Sequence, residues 1–537
     1  ESVQSPLTQA MREGKPPLDE GHFANNRSLI DLADQVRTPD HVQQAGFLLE
    51  HFRVANSQLG IPKQLPEIVD LNQYSRSVHK NMMDRLRKNG INPEEVLRGT
   101  NSPIFLIFDS KGAGPYTIPA IKGVTDTPIV VVPREYRNML GVHVAGVYPH
   151  ELGHDLIFGD LLRFPEHLRD HILKQDVVAK AMADKGIADV PVEVPGHGTM
   201  KKSELFTELL RAQANENTTD MFSTSVDPNT PMSLAVLLGS LRKPGAGVGK
   251  NGPGQLETRS MFGKEFVEEG NPMGIEVHGI DCWRIKLGAE TLRQLSNHDP
   301  RVVAHADSLD RLASAMRRPG DNYVWASMDN QGKFISVPIK EWDAIIPSMV
   351  RAQLETPLPP LGGNTLKHVY PDASLTFPRV DALADQMAAA VHSNDLGMPK
   401  FDKAAHGPED VMSAGLSAWM KAIAANPEVG KPGHLTPEVL LGRICKVSEG
   451  LRTHYRDDNF LPPTPATPVT LSGALNGTVK FMSRSVGQAV GAQPKLRQKF
   501  EHWAPRTGIY TGVALSRDLS QSLRTQEEQR ALQEKGN

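Results

Sequence analysis

The chain has 537 residues, of which 39% are hydrophobic and 23% charged, with a formal net charge of -3 at pH 7. That length exceeds what a single core organises and implies several domains, or one core with helical extensions. The near-neutral balance offers a polyanion such as nucleic acid no electrostatic hold, and two distant cysteines, Cys282 and Cys445, speak against both a disulfide framework and a thiolate metal site.

Residues 1 to about 100 read as a polar lead-in followed by helices at 28–35, 41–58 and 75–89, the last stopped by Gly90. From Ser102 the period changes. Residues 103–108 and 127–132 are β-rich apolar runs, 116–122 alternate, and 112–115 carry turn chemistry, so three strands are expected. Residues 133–143 read as a helix, and Pro149 then marks a helix start or a local break near Tyr148. Helical pattern with breaks covers 161–187, a Pro/Gly loop covers 190–200, and a helix capped by Ser203 runs through Met221.

Residues 243–256 are glycine-rich, yet they lack the G-x-x-x-x-G-K-[ST] order of a phosphate cradle and follow no strand, so they read as a connection. Helices are expected at 280–295 and 305–316, a short hairpin over 323–327 and 333–337, and mainly helix from beyond Gly363 to about Tyr455. A Pro/Thr linker at 461–468 precedes a mildly basic tail. The implied division is 1–100, 101–242, 257–460 and 461–537. No stretch approaches the roughly 18 apolar residues that cross a bilayer. The chain begins at Glu1 without Met, which fits a removed leader or a trimmed chain; a soluble protein is expected, cytoplasmic in preference to exported after leader removal.

The chemistry concentrates at residues 148–160, where His150, Glu151 and His154 stand in the order H-E-x-x-H. Helical residues four apart share a face, so both imidazoles reach one ion while Glu151 projects beside them. Two imidazoles and a carboxylate leave the fourth position of a tetrahedral Zn2+ to water, and Glu151 is the group to take that water's proton. The third ligand is expected from Asn215-Glu-Asn-Thr-Thr-Asp220: Glu216 ligates and Asp220, one turn on, accepts the outer N–H of an imidazole. Glu204 and Glu208 are alternative ligands on the same expected helix. Asp155 and Asp160 read as solvated carboxylates or outer partners.

H-E-L-G-H followed further along by N-E-x-x-x-D resembles the gluzincin group of zinc metallopeptidases, over about residues 102–236. The resemblance implies His150, His154 and Glu216 as ligands of Zn2+, Glu151 as general base and Asp220 as the residue that orients a ligand imidazole. It implies an α+β, predominantly helical fold: a zincin-like core of a small mixed sheet and an active-site helix, with helical N- and C-terminal extensions. The substrate would be a protein or peptide held along an edge strand at 114–123. The element from Val277 to Arg284 is similar to a His-then-Arg element of such proteins, which makes His278 a catalytic candidate for stabilising the oxyanion, with Arg284, Tyr116 and Tyr148 as other donors. A metzincin is excluded, since the sixth residue after His154 is Asp160 rather than His. Two rival readings are an HD-type metal phosphohydrolase built on His154-Asp155 and a non-catalytic binding scaffold. Partners are confined to that substrate, with neither nucleic acid nor a membrane span; the oligomeric state is not legible.

Overall fold

A computed structural model describes residues 77–92 (apart from 79 and 80), 105–109, 116–118, 129–133, 148–156, 164–241, 259–316 (apart from 269), 322–390 (apart from 330, 331 and 372) and 408–425. They fall into two compact units, one drawn from 1–69, 99–134 and 459–537 and the other from 70–98 and 135–458. The helices expected at 28–35, 41–58 and 133–143, the glycine-rich connection, the linker at 461–468 and the basic tail lie outside the described residues, save Pro133.

In the first unit, β1 (Phe105–Asp109), β2 (Tyr116–Ile118) and β3 (Ile129–Pro133) form a sheet in the order β1-β3-β2. β1 runs parallel to β3 with Phe105 opposite Ile129, and β2 runs antiparallel with Tyr116 opposite Val131. The unbroken Ile-Val-Val-Val of β3 suits the central place, where side chains are buried on both faces; Val130 and Val131 are both buried.

The second unit is mainly helical. Among the described residues, besides the helical turns that end at Gly90, its helices include α1 (Tyr148–Leu156), α2 (Phe164–His171), α3 (Gln175–Ala183), α4 (Lys202–Ala212), α5 (Ala214–Val226), α6 (Thr230–Leu241), α7 (Asp281–Leu295), α8 (Pro300–Met316), α9 (Ile339–Glu355), α10 (Leu366–Val369), α11 (Ala373–Ala390) and α12 (Pro408–Ala425). Two small sheets accompany them. β4 (Pro191–Val194) and β5 (Gly198–Lys201) form a hairpin, and β6 (Arg259–Phe262) lies parallel to β7 (Asn322–Ser327), which pairs antiparallel with β8 (Phe334–Pro338). The molecule is thus mostly helical with a few small sheets. Among the described residues no helix is long and apolar enough to cross a membrane.

α5 is the central element, buried along nearly its whole length from Glu216 to Ser225. Its sequence, Ala-Asn-Glu-Asn-Thr-Thr-Asp-Met-Phe-Ser-Thr-Ser-Val, looks too polar for that place. The hydroxyls resolve the conflict by bonding to the helix's own carbonyls: Thr218 Oγ1 donates to Ala214 O at 2.7 Å, Ser223 Oγ to Asp220 O at 2.9 Å and Ser225 Oγ to Phe222 O at 2.6 Å. Around it an aromatic cluster joins α4, α7, β7 and α9, with Trp342 at its centre 4.9 Å from Phe206, 5.6 Å from Trp283 and 6.0 Å from Trp325 between ring centroids.

Three expectations need correction. The helix expected from Ser203 through Met221 is two helices that break at Gln213, whose φ of -99° and ψ of 8° leave the helical region. Ser203 is not the cap; it lies inside α4, and Asp189 does the capping, accepting from Ser203 N at 2.8 Å and Ser203 Oγ at 2.9 Å. The loop expected at 190–200 contains the β4–β5 hairpin, whose connection uses positive φ at Gly196 and Gly198. The helix before Gly90 does end there: Gly90 takes φ 72°, and Ile91 N bonds back to Leu86 O at 2.9 Å.

Candidate metal centre

α1 begins at Tyr148 with Pro149 in its first turn, where the missing N–H leaves no helical bond unmade. The proline does not rotate the two imidazoles apart. His150 Nε2 and His154 Nε2 lie 3.2 Å from each other, with the rings edge to face at 4.8 Å. Between them Leu152 is fully buried and Gly153 lies against α5. A Cβ at Gly153 would stand 2.9 Å from both Phe222 Cδ1 and Thr219 Cγ2, inside normal contact, so the glycine in H-E-L-G-H lets the two helices approach.

That approach brings α5 to the histidines. Glu216 Oε2 is 3.2 Å from His150 Nε2, and Oε1 is 3.5 Å from His154 Nε2. One ligand atom from each residue lies within 4.8 Å of the others, so His150, His154 and Glu216 form a group able to hold a metal ion. His150 and Glu216 are buried and His154 is partly open. Glu216 Oε2 is buried and accepts no hydrogen bond of good geometry among the described residues, an arrangement that is costly for a carboxylate and that a cation would satisfy.

Asp220 follows one turn after Glu216. Its Oδ1 is 2.8 Å from His150 Nδ1, close though bent from the N–H axis. Arg284 on α7 grips the same carboxylate in a fork, with Nε donating to Oδ2 at 2.7 Å and Nη2 to Oδ1 at 2.9 Å. The chain of control runs from α7 through Arg284 and Asp220 to the ring of His150. Glu151 is buried on α1.

His278 approaches from the segment before α7. Its Nε2 is 3.7 Å from Glu216 Oε2, its Nδ1 is 3.8 Å from Glu276 Oε1, and its side chain is 29% exposed, so it sits at the open side of the cluster. Glu276 is itself buried and accepts from Ser260 Oγ on β6 at 3.2 Å. The alternative ligands do not join: Glu204 is exposed, and Glu208 pairs with Arg211 at 3.6 Å. The side chains of Tyr116, Tyr148 and Asp155, and all of Asp160, lie outside the described residues.

The charges are mutually adjusted. Burial pulls His150 down, but the close carboxylate of Asp220, aided by that of Glu216, outweighs it and carries the imidazole up to about 10. Burial lowers His154 and His278. Burial alone would raise Glu216 and Asp220; the histidines around the first and Arg284 beside the second hold both carboxyls below their usual range. Burial, reinforced by Asp281, pushes Glu276 up to about 8.

The H-E-x-x-H pattern does not mark Gly153 as the contact that sets the spacing of the two helices, and Arg284, expected as a donor to the oxyanion, instead holds Asp220. Gly153 was recognisable as the one residue of the motif without a side chain. Nothing in the spacing of Arg284 from Asp220 announces their pairing. No protein-family model, curated protein or solved structure matches the chain.

Proposed function

We propose that the protein is a zinc-dependent metallopeptidase with a zincin-like core and a gluzincin-type ligand set of His150, His154 and Glu216. One observation carries this reading: two Nε2 atoms and a carboxylate from separate helices converge at 3.2, 3.2 and 3.5 Å. Ligand atoms bonded at about 2.0–2.1 Å to one tetrahedral Zn2+ stand roughly 3.3–3.4 Å apart. The donor set also fits zinc in kind, with two imidazoles and a carboxylate and no need of thiolate.

Zinc, when bound, supplies a Lewis acid that polarises the scissile carbonyl and acidifies water. Asp220 keeps the proton of His150 on Nδ1, so the Nε2 lone pair faces Glu216 and His154. Arg284 keeps Asp220 ionised for that task. The Glu151 carboxylate accepts the proton of the attacking water and returns it to the nitrogen of the leaving amine, so one group serves both steps. His278 Nε2, on the open side, donates to the oxygen that gains charge as water adds to the carbonyl.

The experiment is Glu151→Gln. The variant is expected to bind zinc in the wild-type amount while peptide hydrolysis falls by at least about 100-fold, the contribution of a positioned base. Unchanged turnover with bound zinc would remove Glu151 from the mechanism.

A further inference from the structure

Of the nineteen histidines, two pairs stand four residues apart: His150 with His154, and His167 with His171. We propose that His167 and His171 form a second, peripheral site for a divalent transition-metal ion of borderline softness, independent of the assignment of the first pair. Residues four apart on a helix are stacked on one face, which is the placement by which two imidazoles chelate one ion. α2 carries both residues and ends at His171.

The helix is firmly seated. Leu168 is fully buried, as are Ile172 and Leu173 just beyond the helix end, and Ile172 N bonds to Leu168 O at 2.9 Å. The histidines face the other way, His167 partly exposed and His171 exposed. Their rings are stacked, 15° from parallel with centroids 5.6 Å apart; the centroids of the His150–His154 pair, whose Nε2 atoms already converge, are 4.8 Å apart. Rotation about the side-chain bonds of one partly exposed and one exposed residue covers that difference.

Local charge favours the ion. The cationic residue between the two histidines, Arg169, is turned away: its Nε donates to Arg211 O at 3.2 Å, and its guanidinium lies against Gly270, where a Cβ would meet Nη1 at 2.7 Å. Glu166 and Asp170 flank the pair in sequence and add negative potential. Two neutral imidazoles with water completing the shell suit Cu2+, Ni2+ and Zn2+, with Cu2+ held most tightly.

The test titrates Ni2+ into full-length protein loaded with zinc, with binding followed by calorimetry and metal stoichiometry. The wild type is expected to take up one further equivalent, and His171→Ala and His167→Ala each to weaken that uptake at least tenfold. His171 is exposed, so its alanine variant keeps its fold, which circular dichroism verifies. Ni2+ is also expected to raise the melting temperature of the wild type loaded with one equivalent of zinc and freed of excess, and not that of His171→Ala. Equal Ni2+ affinity and stoichiometry in wild type and the double alanine variant would overturn the proposal.

Discussion

Glu216 faces two imidazole nitrogens and, at 3.7 Å, both His278 and Arg284, yet one of its oxygens is buried without a hydrogen bond of good geometry among the described residues. In the absence of an ion its charge is balanced by the proton that Asp220 and Glu216 hold on His150, which titrates at about 10. A metal needs the lone pair that this proton occupies, so at neutral pH its uptake must expel the proton, and affinity must rise with pH until the imidazole is free. Calorimetry at pH 7 in buffers of different ionisation enthalpy is expected to show about one proton released per ion. The same reasoning assigns Asp220 a positioning role. Asp220→Asn is expected to weaken metal binding by about 10- to 100-fold while leaving the protein folded, read by competition with a chromophoric chelator.

At the scale of elements, the contact of α1 with α5 decides whether the ligands meet. Gly153→Ala puts a methyl group 2.9 Å from two buried side chains, and the expected cost is about 1–3 kcal/mol in urea unfolding, with weakened metal binding because α1 must move off α5. A second device ties α12 to the end of α5. Asp227 accepts from the hydroxyl of Ser413 and from Asn229 N, while Asn229 Nδ2 donates to Ser413 O at 3.0 Å. Burial lifts Asp227 from 3.8 to about 6, above its value in the unfolded chain. The fold therefore favours the neutral acid: this contribution is complete below about pH 4 and is lost as pH rises through 6, on the order of 3 kcal/mol. Asp227→Asn keeps an acceptor and removes the titration. Its stability relative to wild type is expected to climb between pH 4 and 6 and then level off in denaturant titrations at each pH.

Elements with a strong pattern were legible from the sequence. The β-branched run of β3, the Asn322–Ser327 and Phe334–Pro338 hairpin and the helix α7 appear within a few residues of where periodicity puts them. α5 was harder to read, because it is buried through side-chain bonds to its own backbone rather than through an apolar stripe, and the break at Gln213 carries neither Gly nor Pro. β6 escaped notice because four residues give a period too few turns to register.

At the scale of the molecule, the metal-ligand cluster needed only local information. His150 and His154 come together by helical spacing alone, and Glu216 was legible because its own helix also carries Asp220 one turn on. What surrounds them was legible only in part: His278 and Arg284 are named by the resemblance, but the reach of Arg284 to Asp220 from α7 and the approach of His278 to Glu216 come from tertiary packing that no spacing encodes. The ligands come from α1 and α5, and Arg284 ties Asp220 to α7, so an ion held there cross-links two helices of the second unit. Its removal by a strong chelator is expected to lower the melting temperature, and restoring zinc to recover it.

The most direct test is the zinc content of the purified protein and of Glu216→Ala, measured by elemental analysis after gel filtration. The wild type is expected to hold one zinc per chain beyond any weakly held surface metal, and Glu216→Ala to lose it with the fold intact by circular dichroism. A wild type that takes up no zinc, or a Glu216→Ala variant that retains the full equivalent, would contradict the zinc assignment.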